Sequence, residues 1–145
     1  MANPVYDPEN LVVRSCVAGM AAEGDGNTAE AARLFGEAWA AASYPFERFT
    51  AAHFLARHQS TMSDKLHWDQ VALTQALSID GDFVNGTLPS LYLNIGKCYE
   101  DLGNFTLAKE NYLKGEAHIR FLENDGYGNM IKSGIAAGLA RIDIS

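Results

Sequence analysis

Residues 92–103 read Tyr92-Leu93-Asn94-Ile95-Gly96-Lys97-Cys98-Tyr99-Glu100-Asp101-Leu102-Gly103, and Ala108, Tyr112 and Gly115 follow. Thr87-Leu88-Pro89 opens a helix ahead of this stretch, because proline suits the first helical turn, and Leu102-Gly103 closes it. Asn104 supplies a capping side chain for the next helix. Gly96 on one helix and Ala108 on the other carry almost no side chain, so the two backbones can approach closely. Tyr99 and Tyr112 fill the space beside them. The stretch therefore predicts two helices folded back on each other around a tight turn.

The same template fits a second place. Laid from Gly19, it finds Ala18-Gly19, Ala22, Gly26, Ala31, Phe35 and Ala38, with Ser15 where the later copy has Tyr92. The step from Gly19 to Gly96 is longer than two of the roughly 34-residue periods that helix-pair repeats use. The surplus falls in Ser60–Asp64 and Asp80–Thr87, so a middle pair of helices with longer loops is expected.

Local signals fill in the rest. Asp7-Pro8-Glu9 reads as a helix start, and Gly24-Asp25-Gly26 ends the run that follows. Asn27 and Glu30 form a variant of the capping box for a second helix, whose apolar stripe is Ala31, Ala32, Leu34, Phe35, Ala38, Trp39 and Ala42. A third helix is expected from Phe46 to Gln59 and a fourth after a cap at Ser63 or Asp64. A fifth and a sixth make up the pair described first, the sixth running to about Glu123. The seventh spans Met130 to Ile142, with Ile131, Ile135, Leu139 and Ile142 at helical steps. No stretch alternates in the strand period for long. The chain is expected to be all-α.

The Tyr92–Gly115 unit resembles a tetratricopeptide repeat. The family places an aromatic at Tyr92, an aliphatic-glycine pair at Ile95-Gly96, then Tyr99, Gly103, Ala108 and Tyr112, and Gly115 stands where the family has alanine. More specifically, His53–Gln59, Asp64-Lys65-Leu66-His67-Trp68, Ser90–Gly103 and Asp125–Lys132 resemble a group of small stand-alone bacterial tetratricopeptide proteins. The resemblance implies a right-handed helical-hairpin array in a single domain. Repeat 1 would span about 11–43, an irregular repeat 2 about 45–79 and repeat 3 about 88–123, with a capping helix at about 128–143 covering the last apolar face. It implies protein or peptide binding rather than a reaction, with no cofactor.

In that family the first helix of each pair lines a concave groove. The family's groove offsets fall on Ser90, Leu93, Lys97 and Glu100 with Asn94 alongside, on Thr50, Phe54, Arg57 and His58, and on Val13, Cys16 and Met20; Lys132 would close the groove. Phe54, Arg57, His58, Leu93, Asn94, Lys97 and Lys132 are thus the candidate binding residues. Their cations would give an otherwise acidic protein a local positive patch for an acidic segment or a chain-end carboxylate. The full set of clamp residues known in peptide-binding relatives has no residue-by-residue match. Ordinary solvated charge is the competing account.

Composition narrows the alternatives. Eleven Lys+Arg against eighteen Asp+Glu give a net charge of −7, which disfavours binding to nucleic acid or to an anionic membrane. No apolar run is long enough to span a bilayer. Met1–Asn10 has no basic start and no apolar core, so no secretion signal is expected. Two cysteines, Cys16 and Cys98, fit a reducing, cytoplasmic setting and are read as packed thiols.

His53 and His58 are turned about 140° from each other on a helix and do not make a metal pair. Asp80-Gly81-Asp82 lacks the further ligands of a calcium loop. Asn3-Pro4-Val5-Tyr6 looks like a methyltransferase signature, but no strand and glycine-rich loop precede it. Trp39 and Trp68 are read as core fillers.

Two other functions remain open at this level. One is a self-associating protein, possible homodimer included, built on apolar ends or on the small strip Gly134, Ala137 and Gly138. The other is a small-molecule pocket around His53, Arg57, His58, Trp68 and Tyr92.

Overall fold

A computed structural model of the chain describes residues 9–143. Among these residues there are seven α-helices and no strand: α1 (Leu11–Gly24), α2 (Thr28–Ala41), α3 (Pro45–Leu55), α4 (Met62–Leu77), α5 (Leu88–Asp101), α6 (Phe105–Glu116) and α7 (Gly126–Asp143). The chain is all-α, arranged as helical hairpins. It forms two compact units, residues 1–79 and 80–145. The first contains α1–α4 and the second α5–α7.

The hairpin turns α1–α2 and α5–α6 have one design. Gly26 (φ 78) and Gly103 (φ 83) take the left-handed conformation that glycine adopts without penalty. After α1, the Gly26 N–H donates to the Glu23 carbonyl and the Asn27 N–H to Ala22. After α5, Gly103 donates to Glu100 and Asn104 to Tyr99. Both are six-to-one, five-to-two helix endings that satisfy otherwise orphaned carbonyls. Each asparagine then caps the next helix, Asn27 Oδ1 accepting from the Glu30 N–H and Asn104 Oδ1 from the Leu107 N–H. The other half of the expected capping box does not form, because the Glu30 carboxylate is taken by Arg33.

The packing across each hairpin repeats as well. A Cβ on Gly19 would overlap the Phe35 ring, and one on Gly96 would lie 2.8 Å from the Tyr112 ring. Phe35 and Tyr112 are both wholly buried, as are Ala31 and Ala108. In each hairpin a ring from the second helix lies directly on the backbone of the first, which only glycine permits.

In the first unit the core is built from Val12, Cys16, Ala22, Ala31, Phe35, Ala38, Ala51, Phe54 and Leu55, with Trp39 and Trp68 against its edge. The two indoles meet edge to face at 5.0 Å. Burial pushes the Cys16 thiol up to about 11. At the entry to α3 the buried Glu47 carboxylate accepts from the Ser43 backbone N–H and from Asn10 Nδ2. The same Asn10 caps α1, its Oδ1 accepting from Val12 and Val13.

In the second unit Tyr112 lies between α5 and α7. Its ring meets Gly96 on one side, and on the other a Cβ at Gly138 would come within 2.5 Å of it. Gly134 faces Leu93 in the same way, at 3.0 Å from an added Cβ. The glycines of the strip considered for self-association therefore serve packing inside this unit.

Several element ends differ from the sequence reading. α1 is capped by Asn10, whereas Asp7 lies outside the described residues, as does Asn3-Pro4-Val5-Tyr6. α3 ends at Leu55 and continues as a short 3-10 turn, Ala56–His58, where Gln59 Nε2 donates to the Leu55 carbonyl. α4 begins at a Thr61 cap, whose hydroxyl accepts from the Asp64 N–H, rather than at Ser63 or Asp64. α6 stops at Glu116, and Ile119–Phe121 forms a separate 3-10 turn after His118 Nδ1 donates to the Lys114 carbonyl. In these cases a side chain bound to local backbone sets the boundary.

Candidate functional site

Arg57 and His58 come together in the first unit around the carboxylate of Glu23 at the end of α1, with Phe54 against Arg57. Arg57 Nη1 donates to both Glu23 oxygens at 3.1 and 3.4 Å, and His58 Nε2 lies 2.8 Å from Glu23 Oε2. The Arg57 guanidinium also rests on the face of Phe54, 4.7 Å from the ring centre. Phe54 stacks on Phe35 at 4.8 Å, and His58 tilts against the same ring at 5.5 Å. Phe35, which fixes the hairpin joint, therefore also carries the two side chains behind Arg57. Phe54 is 8% exposed and works as a core residue rather than as a groove surface.

These side chains border a shallow depression of about 440 Å³ lined by Thr28, Ala29, Ala32, Arg57, His58, Gln59 and Ser60. Its floor is the first turn of α2, and its polar wall carries a guanidinium, an imidazole, an amide and two hydroxyls. Glu23 uses one edge of Arg57. The Nε and Nη2 groups have no partner among the described residues, so a second anion can be accepted in a geometry suited to a carboxylate. The positive patch expected at Arg57 and His58 is thus partly offset from within by Glu23.

The remaining candidates lie in the second unit. Leu93 packs against α7 at Gly134, and Asn94 is half-buried on α5. Lys97 is exposed but paired with Asp101 of its own helix at 2.5 Å. Lys132, half-buried on α7, has no ion-pair partner among the described residues. Of the other residues expected along the groove, Val13, Cys16, Thr50 and Ser90 are buried, Glu100 is half-buried and Met20 is exposed. Cys16 is 1% exposed, Thr50 donates its hydroxyl to the Phe46 carbonyl, and Ser90 donates to Thr87. The Glu100 side chain accepts from Arg141 Nε at 2.8 Å, Arg141 Nη2 at 3.1 Å and the Tyr112 hydroxyl at 2.8 Å.

The offset places Glu100 in the groove, and the structure gives it a different role. Glu23 and Glu100 are related by the same step as Gly19 and Gly96. Each carboxylate ends the first helix of a hairpin and receives an arginine from the helical segment that packs next, Arg57 for Glu23 and Arg141 for Glu100. A glutamate at the same offset in both copies of the template was the available signal. The guanidinium of Arg141 holds the Glu100 carboxyl below its usual range, against a smaller opposing effect of burial. Burial, aided by the bond to Glu100, raises the Tyr112 phenol well above its ordinary value.

His53 sits one turn before Arg57, between Phe49 and Phe54, with ring centres 6.2 and 5.6 Å away. Its Nδ1 is buried and has no hydrogen-bond partner among the described residues. Burial, then Arg57, lowers its pKa; Lys65 acts in the same sense and Asp69 against it. Because the folded state favours the neutral ring, His53 contributes stability that is complete at high pH. That stability falls away as the pH drops below about 6.5, the ordinary histidine value. His53→Leu is expected to flatten the acid limb of a urea-stability profile of the whole chain. An unchanged limb contradicts the assignment.

Trp68 and Trp39 are packed together in the first unit, and Tyr92 stands in the second beside His118, with ring centres 6.0 Å apart. Among the described residues, no group of three or more His, Cys, Asp or Glu side chains is placed to hold a metal ion. Among the same residues, no helix is long and apolar enough to cross a membrane. The chain matches no protein-family model, no curated protein and no solved structure.

Proposed function

We propose that this chain is a protein- or peptide-binding module of tetratricopeptide type, working in the cytoplasm as a scaffold without catalytic residues. The observation that carries the reading is the joint that recurs between the first hairpin and the α5–α6 hairpin. Its parts are a glycine against a buried ring, a left-handed glycine at the turn, an asparagine cap, and a carboxylate bound to an arginine. A chain that repeats the joint between two helices builds surfaces of regularly spaced helices, which suit extended peptides better than they suit enclosed chemistry.

The ligand class favoured is a peptide with an acidic segment or a free terminal carboxylate. Arg57 is its main anchor, held on one edge by Glu23 and on its face by Phe54, with its other edge open. The reading is tested by fluorescence anisotropy on a library of labelled acidic peptides, each with a free or an amidated C-terminus. Arg57→Ala is expected to weaken the tightest free-carboxylate peptide about tenfold or more, the loss of one charge-assisted contact. Equal affinity for the free and amidated forms, or no effect of Arg57→Ala, removes the carboxylate reading. A second reading, a self-associating protein, is favoured by the apolar outer side of α1.

A further inference from the structure

The wall of the Arg57 depression carries acceptors as well as donors. Gln59 lines it two residues after Arg57, where the chain leaves the 3-10 turn in extended conformation. Its Nε2 donates to the Leu55 carbonyl at 2.9 Å. A carbonyl only accepts, so this bond fixes which end of the amide is which, and Oε1 is the free end. His58 is oriented in the same way. Its Nε2 faces the Glu23 carboxylate at 2.8 Å and carries the proton there, which leaves Nδ1 as an acceptor in the neutral ring. Neither Gln59 Oε1 nor His58 Nδ1 has a hydrogen-bond partner among the described residues, and neither is a buried atom.

Both acceptors are uncharged, which matters beside a guanidinium that is to receive an anion. A carboxylate in their place would repel the incoming charge, whereas an amide oxygen takes an N–H without doing so. Glu23 occupies one edge of Arg57, and the Nε–Nη2 edge is open. The depression thus sets an open anion-binding edge and a neutral acceptor on the same wall. An aspartate or glutamate side chain presents a carboxylate whose adjoining carbon bears no N–H. A chain end presents a carboxylate on a carbon that also carries an amide N–H. Only the chain end supplies both groups side by side.

We infer that the depression takes the last residue of a polypeptide, with the terminal carboxylate on the open edge of Arg57 and the same residue's amide N–H on Gln59 Oε1. This rests on the carboxylate reading above and decides within it, for a chain end and against an internal acidic segment. Gln59 is then a specificity-determining residue, because it accepts from an N–H that only one of the two kinds of carboxylate presents. Gln59 suits the role better than His58. Its oxygen accepts at any pH, whereas His58 Nδ1 becomes a donor once the ring is protonated. The volume of about 440 Å³ lies toward the small end of ligand sites, which fits one terminal residue better than a long segment. Ala29 and Ala32, lining the same depression, leave room for that residue's side chain.

The test alters the ligand and leaves the full chain as it is. The tightest free-carboxylate peptide of the labelled library is compared by fluorescence anisotropy with its C-terminal amide and with a free acid whose last peptide N–H is replaced by an ester oxygen. The ester form should bind about fivefold more weakly than the parent peptide, the loss of one neutral hydrogen bond. In Gln59→Met, which keeps the length of the side chain without its polar end, the ester and the parent peptide should bind alike. Circular dichroism of that variant checks that its helices are intact. Ester and parent peptide binding the unaltered chain equally well overturns the inference, whatever the fate of the variant. An ester penalty that persists undiminished in folded Gln59→Met overturns the role of Gln59. If no free acid binds, or free acid and amide bind alike, the carboxylate reading fails and this inference falls with it. If the peptide still needs its free carboxylate but tolerates the ester, the inference alone is overturned.

Discussion

Tyr112→Ala is expected to destabilise the second unit by about 3–5 kcal/mol, the usual cost of deleting a large, fully buried aromatic. The ring is wholly buried and touches backbone on two sides, at Gly96 of α5 and Gly138 of α7. Neither glycine has a side chain that could move into the vacated space, so the cavity persists unless the helices shift, and shifting them gives up the hairpin joint itself. The hydroxyl adds to the loss, because Glu100 then keeps Arg141 but no longer has the Tyr112 donor. A cost of this size is a large fraction of the stability of a typical domain. Amide exchange in α5, α6 and α7 should accelerate together. Exchange that stays within a few-fold of the parent in all three helices contradicts the central position given to Tyr112.

The parts of this fold that could be read in the sequence depend on small and large residues at fixed distances. Gly19 stands as far before Phe35 as Gly96 stands before Tyr112, and that shared spacing brings a backbone gap opposite a ring once two helices fold back. Gly26-Asn27 and Gly103-Asn104 were legible for a similar reason, since left-handed backbone and capping are local properties. The ends of α3 and α6 were not. Apolar periodicity continues through Ala56–His58 and Ile119–Phe121, and what tightens the chain there is one side chain of Gln59 or His118 reaching a carbonyl.

The candidate site was legible only in part, because helical period gives a residue's face without saying what covers that face. Phe54 and Arg57 share a side of the chain, yet Phe54 is enclosed by Phe35 and Arg57 is open. The groove offsets also select Cys16, Thr50 and Ser90, and all three are buried for the same reason. The partner of Arg57 and His58 is Glu23, on a different helix, and no local pattern around Arg57 names it. On α1, where apolar residues lie on both sides of the helix and Arg14 and Glu23 are the only charges, period gives little direction; exposure in the folded unit distinguishes the two sides.

Phe35→Ala is expected to be the most damaging change in the first unit, also at about 3–5 kcal/mol, with a consequence for binding that Tyr112→Ala lacks. Phe35 is wholly buried, lies on the backbone at Gly19, stacks on Phe54 and supports the His58 ring. Phe54 in turn carries the Arg57 guanidinium. Removing the ring opens a cavity directly behind the wall of the depression, so Phe54 loses its stacking partner and Arg57 loses its fixed platform. Both tryptophans, Trp39 and Trp68, lie in this unit against the same core, so the urea transition followed by tryptophan fluorescence reports the damage directly. At low denaturant, where the variant is still folded, its affinity for an acidic peptide should fall further than that of Phe35→Leu, which keeps most of the volume. A preorganised guanidinium loses affinity when its support is loosened, because the ligand must then bear the cost of ordering it. If the two variants differ in stability but bind the peptide equally, Arg57 is not held in place through Phe54, and the depression does not depend on the hairpin joint behind it.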